Sequence, residues 1–215
     1  MPTKRTAKLL TVLLTVLCFV TTLTTVAFAA DGAVCRNATT GTEYQNLVDA
    51  INAASDGDTI EVIADNTPSA AAVSTNKSLT IKNAEGEQFV TTVPAGFSLT
   101  ATGTANVTIG DLVVDGQNSG RSSTLFVNNS TGTMTFNGTT VEGINRTTPG
   151  PGAVLYVQQG TAEFVDIDVS DCYITTTVSN QTNTEGGYAA YVAESAVLNF
   201  RSGSIHVCGV GDNND

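Results

Sequence analysis

The sequence predicts an all-β fold: a parallel β-helix with three short strands per coil, closed at its N-terminal end by an α-helix. Three observations predict it. Ile109, Phe136, Phe164 and Phe200 are each followed five residues later by Val114, Val141, Val169 and Ile205. Each repeat holds three short stretches of alternating apolar and polar residues, separated by Gly, Asn and Ser. The chain carries only 13% charged residues, 20 Gly and no Trp, which suits a turn-rich β protein.

Residues 1–29 read as a signal peptide. Lys4, Arg5 and Lys8 make a basic start, an apolar run begins at Leu9, and Ala27-Phe28-Ala29 fits a small-x-small cleavage site. A retained membrane anchor is the alternative. Export places the chain outside the cell, either secreted or at the cell surface, with no membrane insertion after signal removal.

Residues 30–63 form the expected cap. Tyr44, Leu47, Val48, Ile51 and Ala54 fall on one helical face, so the spacing predicts a helix over about 43–55. Thr42 and Gln45 match a capping box, and Gly57 suits a left-handed C-terminal cap. Thr59-Ile60-Glu61-Val62 then alternates as a first strand. Such a helix cannot bury its apolar face alone and covers the first open coil of a repeat protein.

Residues 64–215 supply the coils. Four segments align, starting at Leu99, Leu125, Leu155 and Ala190, and a partial coil holds Leu79 and Ile81. The Phe-to-Val interval stays constant while the distance between repeats varies from 27 to 36 residues. Fixed strands joined by elastic turns produce that pattern. A β-sandwich is the structural rival, but it does not require the interval to recur four times. The polar ending, Asp212-Asn213-Asn214-Asp215, offers nothing to cover the last coil. The sequence therefore reads as C-terminally incomplete or covered by a partner.

The helix with DGDTIEV, followed by SLTIKN, resembles the N-terminal cap of right-handed parallel β-helix domains, the pectin-lyase-like folds of exported bacterial surface and adhesin-like proteins. The resemblance spans the mature chain as a pattern. It implies a right-handed fold and export, not a reaction, because one fold hosts many functions.

Charge excludes several partners. Without Lys4, Arg5 and Lys8 the chain has six basic and twenty acidic residues, a net charge of −14. Nucleic acid and anionic membrane surfaces need a basic footprint that is missing.

Catalytic motifs are sparse. The pectinolytic branches place acidic clusters beside Arg, Lys or His, and this sequence has no Gly-His-Gly and no Arg-Ile-Lys. Asp166, Asp168 and Asp171 form the densest acidic cluster, with Asp166 and Asp168 on one strand face by alternation. Calcium favours such oxygens, but the neighbouring coils supply no matching carboxylates, and outward alternation is the preferred explanation. Asp115, Glu142, Ser170 and His206 share one outward column. Paired carboxylates or a Ser beside a His can do chemistry, and a solvated face accounts for them as well. No cofactor and no metal are expected.

The aromatic column is the candidate ligand site. LFV, LYV and AYV place Phe126, Tyr156 and Tyr191 outward, one per coil. Stacked exposed rings suit sugars or a protein surface, or simply stabilise each other. The turns before these strands lengthen along the chain: GQNSGRSS, INRTTPGPG and ITTTVSNQTNTEGG. Eight Asn-x-Ser/Thr triplets are explained mostly by composition. Thr100/Thr102 and Thr133/Thr135 hint at an ice-binding array but do not recur in one column by this alignment.

Cys172 and Cys208 lie three residues after Val169 and Ile205, the same position on successive coils, where Ile144 sits one coil earlier. They form either a disulfide or two stacked thiols. A bond closing that 36-residue loop stabilises by roughly 3–4 kcal/mol in the chain-entropy model. Cys35 stays unpaired.

The expected function is a non-catalytic, adhesin-like module that binds a glycan or a host or cell-surface protein. The alternative is a polysaccharide lyase or glycoside hydrolase of the same fold.

Overall fold

The computed structural model describes residues 31–148, 150–174 and 189–208. These residues are mostly β-strand, paired largely in parallel, with Leu47–Ala53 (α1) as the one α-helix among them. The expected signal peptide lies outside the described residues. Among those described, no helix is long and apolar enough to cross a membrane.

Three sheets share the strands. An eleven-stranded sheet is the largest. A five-stranded sheet holds Val90–Thr92, Val113–Asp115, Thr140–Glu142, Ile167–Ser170 and Gly203–His206. A three-stranded sheet holds Gly120–Arg121, Asn145–Arg146 and Tyr173–Ile174.

The parallel register is set by what points inward. In the large sheet Ile60, Ile81, Ile109, Phe136, Phe164 and Phe200 are successive ladder partners. Their side chains stack, with ring centroids 5.4 Å apart for Phe136–Phe164 and 6.1 Å for Phe164–Phe200. Across the core, Val114, Val141, Val169 and Ile205 pair in the same order. A one-residue slip would turn each of these columns to the opposite face, so burial fixes the pairing. The five-residue interval read from the sequence spans the turn between these two sheets.

Asp111 and Asp166, at φ +48° and +55°, occupy that turn, with Gly138 between them in the repeat order at φ +66°. Asp tolerates this left-handed conformation better than most side chains. Asp166 is therefore a turn residue, not a strand-face partner of Asp168.

The first strand is covered by more than the helix. Cys35–Asn37 pairs antiparallel with both Glu43–Tyr44 and Thr59–Val62, which ends the parallel pairing. Helix α1 buries Leu47, Val48, Ala50 and Ile51 against these strands and Ala72–Thr75. It starts later than its periodicity predicts. Asn46 is the N-cap, its side chain accepting from the Val48 amide at 2.9 Å. Glu43 and Tyr44 join a strand instead, and Gln45 donates to the Asp31 carbonyl at 3.0 Å. The capping box is therefore not formed. Gly57 is left-handed as expected, but it turns the chain into Thr59–Val62 after a helix that closes at Ala54. Lys77 donates to the carbonyls of Asn52 and Ala54, satisfying the helix end.

The last described strands are less buried. Phe200 and Ile205 are 50% and 45% exposed, while Phe164 and Val169 below them are fully buried.

Candidate functional site

The outward face of the large sheet is built by alternation. Val73, Leu99, Phe126, Leu155 and Ala190 pair along one inward column. Ser74, Thr100, Val127, Tyr156 and Tyr191 therefore form the outward column beside it. Tyr156 and Tyr191 stack as expected, with ring centroids 5.6 Å apart and planes at 66°.

Phe126 does not belong to that ladder. It is 3% exposed and packs edge-to-face on Phe136 at 5.1 Å. Val127 takes the outward place, so the expected three-ring ladder is a two-ring contact. The LFV and LYV segments look alike, but Leu125 sits in the corner, where its carbonyl accepts from the Leu99 amide at 2.9 Å. Counting back from the Phe column would have found this. Leu99, Phe126 and Ala190 each precede their column residue by ten, whereas Leu125 precedes Phe136 by eleven. Leu155 precedes Phe164 by nine, because the ladder shifts register near Asn129 and Gln159. There the Gln159 amide donates to both the Asn129 carbonyl and its side-chain oxygen at 2.8 Å.

Apart from Glu61, Lys82 and Glu163, the rest of this face is uncharged. Thr59, Thr80, Thr108 and Thr135 are successive ladder partners, all half-buried. Thr133 belongs to the next outward column, beside Thr161, and donates its amide to Asn106 at 2.9 Å. The Asn106 amide in turn donates to Ser78 at 3.1 Å. Thr100 and Thr102 pair with Val127 and Asn129, so they do not share columns with Thr133 and Thr135, as expected; a column of single threonines does recur, from Thr135 through Thr108 and Thr80 to Thr59. The charges bordering the face are paired. Glu61 meets Arg36 at 2.6 Å and Lys82 at 3.7 Å, and Glu163 meets Arg201 at 2.7 Å. The Arg201 hydrogen bond and charge hold the Glu163 carboxyl below its ordinary range.

The five-stranded sheet presents the opposite chemistry. Asp115 and Glu142 are direct ladder neighbours, followed by Ser170 and His206. Ser170 and His206 are brought together in register, yet the His206 Nε2 faces Asp168 at 3.1 Å, and Ser204 donates to the same carboxylate at 2.8 Å. Glu85, Glu87 and Asp111 line a groove of about 590 Å3 beside the turn, with Lys82, Gln88 and Thr140. Among the described residues, no group of three or more His, Cys, Asp or Glu side chains can hold a metal ion.

Two residues that sequence reasoning passed over hold the corner feeding the tyrosines. Arg121 and Arg146 are ladder partners and buried. Arg121 donates to the carbonyls of Ser123, at 2.8 Å, and Phe97. Arg146 donates to Thr124 Oγ1 at 3.0 Å and to the carbonyls of Pro151 and Gly152 at 2.7 and 2.9 Å. Burial, with Arg146 close by, pushes the Arg121 guanidinium down to about 10. The first two lengthening turns do leave this corner; the third, ITTTVSNQTNTEGG, lies outside the described residues beyond Ile174. The only sequence signal was an Arg in each of the first two turns.

Cys172 and Cys208 each lie two residues beyond the ladder pair Ser170–His206 and are free thiols, as is Cys35. Cys172 donates to the Ser170 carbonyl at 3.1 Å and Cys208 to that of His206 at 3.3 Å. Burial pushes the Cys172 and Cys35 thiols up to about 12.

No family model matches the sequence, and no curated protein and no solved structure matches the chain.

Proposed function

We propose that the chain is an exported right-handed parallel β-helix, with α1 as its N-terminal cap, working as a non-catalytic adhesin-like module. Its ligand, a glycan or a cell-surface protein, docks on the outward face of the large sheet at Tyr156 and Tyr191. The observation that carries this reading is the half-exposed tyrosine pair on a face whose few charges are ion-paired. Among the described residues neither phenol hydroxyl has a protein hydrogen-bond partner. An aromatic face with a free hydroxyl serves both sugars and protein surfaces. The Asp168–His206 pair favours one second reading, a carbohydrate-active enzyme of the same fold. A glycan and polysaccharide binding screen run beside turnover assays separates the two. Binding without turnover, abolished by Tyr156→Ala at an unchanged melting temperature, supports the module. Turnover lost in His206→Ala supports the enzyme.

A further inference from the structure

We infer that the ligand of this face is an uncharged polysaccharide, lying across several strands from the Tyr156–Tyr191 pair toward the threonine columns. The inference rests on the binding-module reading above and names its ligand class. Charge is the first argument. The chain is strongly acidic, yet the outward columns of the large sheet hold mostly Ser, Thr, Asn, Gln, Val and Tyr side chains, and the charges among them, Glu61, Lys82 and Glu163, are ion-paired. The carboxylates instead gather on the five-stranded sheet and its turn, at Asp111, Asp115, Glu142, Asp166 and Asp168. A polyanion gains nothing from a neutral face and is repelled by the flanking acidic one. A polycation would prefer the acidic side.

Hydrogen-bonding capacity is the second argument. Thr80, Thr108, Thr133, Thr135 and Thr161 each present a hydroxyl that both donates and accepts, as sugar hydroxyls do. Neighbouring strands are spaced roughly 4.8 Å apart, so the columns offer such groups at regular intervals to an extended chain. The tyrosines are the third. A ring face packs the apolar face of a pyranose, and the two rings, tilted at 66°, give one stacking surface and one edge rather than a continuous platform. The same columns could order water on an ice surface. The four-deep threonine column is interrupted at Glu163, however, and its neighbour varies through Ser78, Asn106, Thr133 and Thr161, a regularity too poor for a crystal plane.

The test is affinity electrophoresis of the chain, expressed with its full leader, in native gels containing one polymer each. Hydroxyethylcellulose and mannan are the neutral polymers, polygalacturonate the anionic one and chitosan the cationic one. The expected result is retardation by a neutral polymer alone. Tyr156→Ala/Tyr191→Ala should abolish it, and Thr108→Glu/Thr135→Glu should weaken it about tenfold. Both variants should keep the parent circular-dichroism melting curve. Should the threonine pair fail to fold, Thr108→Val/Thr135→Val replaces it, with the same weakening expected. Retardation by polygalacturonate or chitosan that the tyrosine variant abolishes overturns the neutral class and leaves the tyrosine site standing. No retardation in any gel overturns the inference, and so does shaping of ice crystals by the unretarded chain.

Discussion

The large sheet and the five-stranded sheet are made by the same repeats, five residues apart in each one, yet they face outward with different chemistry. One shows Thr59, Thr80, Thr108 and Thr135 in register; the other shows Asp115 and Glu142. Behind them lies one continuous core, Phe136 and Phe164 on one side and Val141 and Val169 on the other. Inward columns are dictated by packing, because a slipped or shortened side chain loses contacts on both neighbouring strands. Outward columns carry no such obligation, so each face can be specialised without disturbing the fold. That separation is why the repeat pattern reveals architecture and the outward residues hold the functional information.

The largest effect should come from the shared core. Phe136→Ala removes a fully buried ring between Ile109 and Phe164 and should cost about 3–5 kcal/mol in urea unfolding. Tyrosine fluorescence, which reports Tyr44, Tyr156 and Tyr191 in the large sheet and Tyr173 in the three-stranded one, and circular dichroism should move together. Separate transitions would mean the sheets do not unfold as one cooperative unit.

Acid sensitivity should come from the edge of the neutral sheet rather than from the acidic face. Asp58 is buried beside Thr59, and its carboxyl is held below the ordinary range, first by the Ser55 amide and then by the Asn37 amide, both at 2.7 Å. A carboxyl depressed in the folded state contributes stability above its unfolded value and loses it as pH falls through the folded one. Asp58→Asn should therefore flatten the acid limb of the urea midpoint against pH, below the usual aspartate range. An unchanged limb would show that Asp58 does not set it.

A smaller effect distinguishes the faces directly. Glu142→Gln relieves two like charges in adjacent ladder positions and should raise stability by a few tenths of a kcal/mol. The gain should fade in high salt. A loss instead would show that the acidic column is held by something other than solvent.

The thiols give the smallest signal. With Cys172 and Cys35 pushed up to about 12 and Cys208 only partly buried, native alkylation should modify Cys208 first. A non-reduced Cys172–Cys208 peptide in the mass spectrum would replace the two thiols by the bond their register permits.

Much of this was legible in the sequence. The Phe and Val columns, the inward place of Ile144 and the stacking of Tyr156 on Tyr191 follow from spacing alone, because strand periodicity and a buried core leave one register. Phe126 was misread because a corner buries two consecutive residues, Leu125 and Phe126, and alternation fails there. The helix start was misread because Cys35–Asn37 recruits Glu43 and Tyr44 into a strand, a long-range pairing that outweighs local capping. The threonine columns escaped notice because they join repeats of unequal length. Arg121 and Arg146 escaped because burial of a guanidinium among carbonyls leaves no motif.

The most direct test of a neutral-face binding site is a two-dimensional amide NMR titration of the chain with a neutral oligosaccharide. The expected shifts are confined to the outward face of the large sheet, at Thr100, Thr108, Val127, Asn129, Thr133, Thr135, Tyr156, Thr161 and Tyr191. Shifts centred on Glu85, Asp111, Asp168 or His206 would contradict it and move the site to the acidic side.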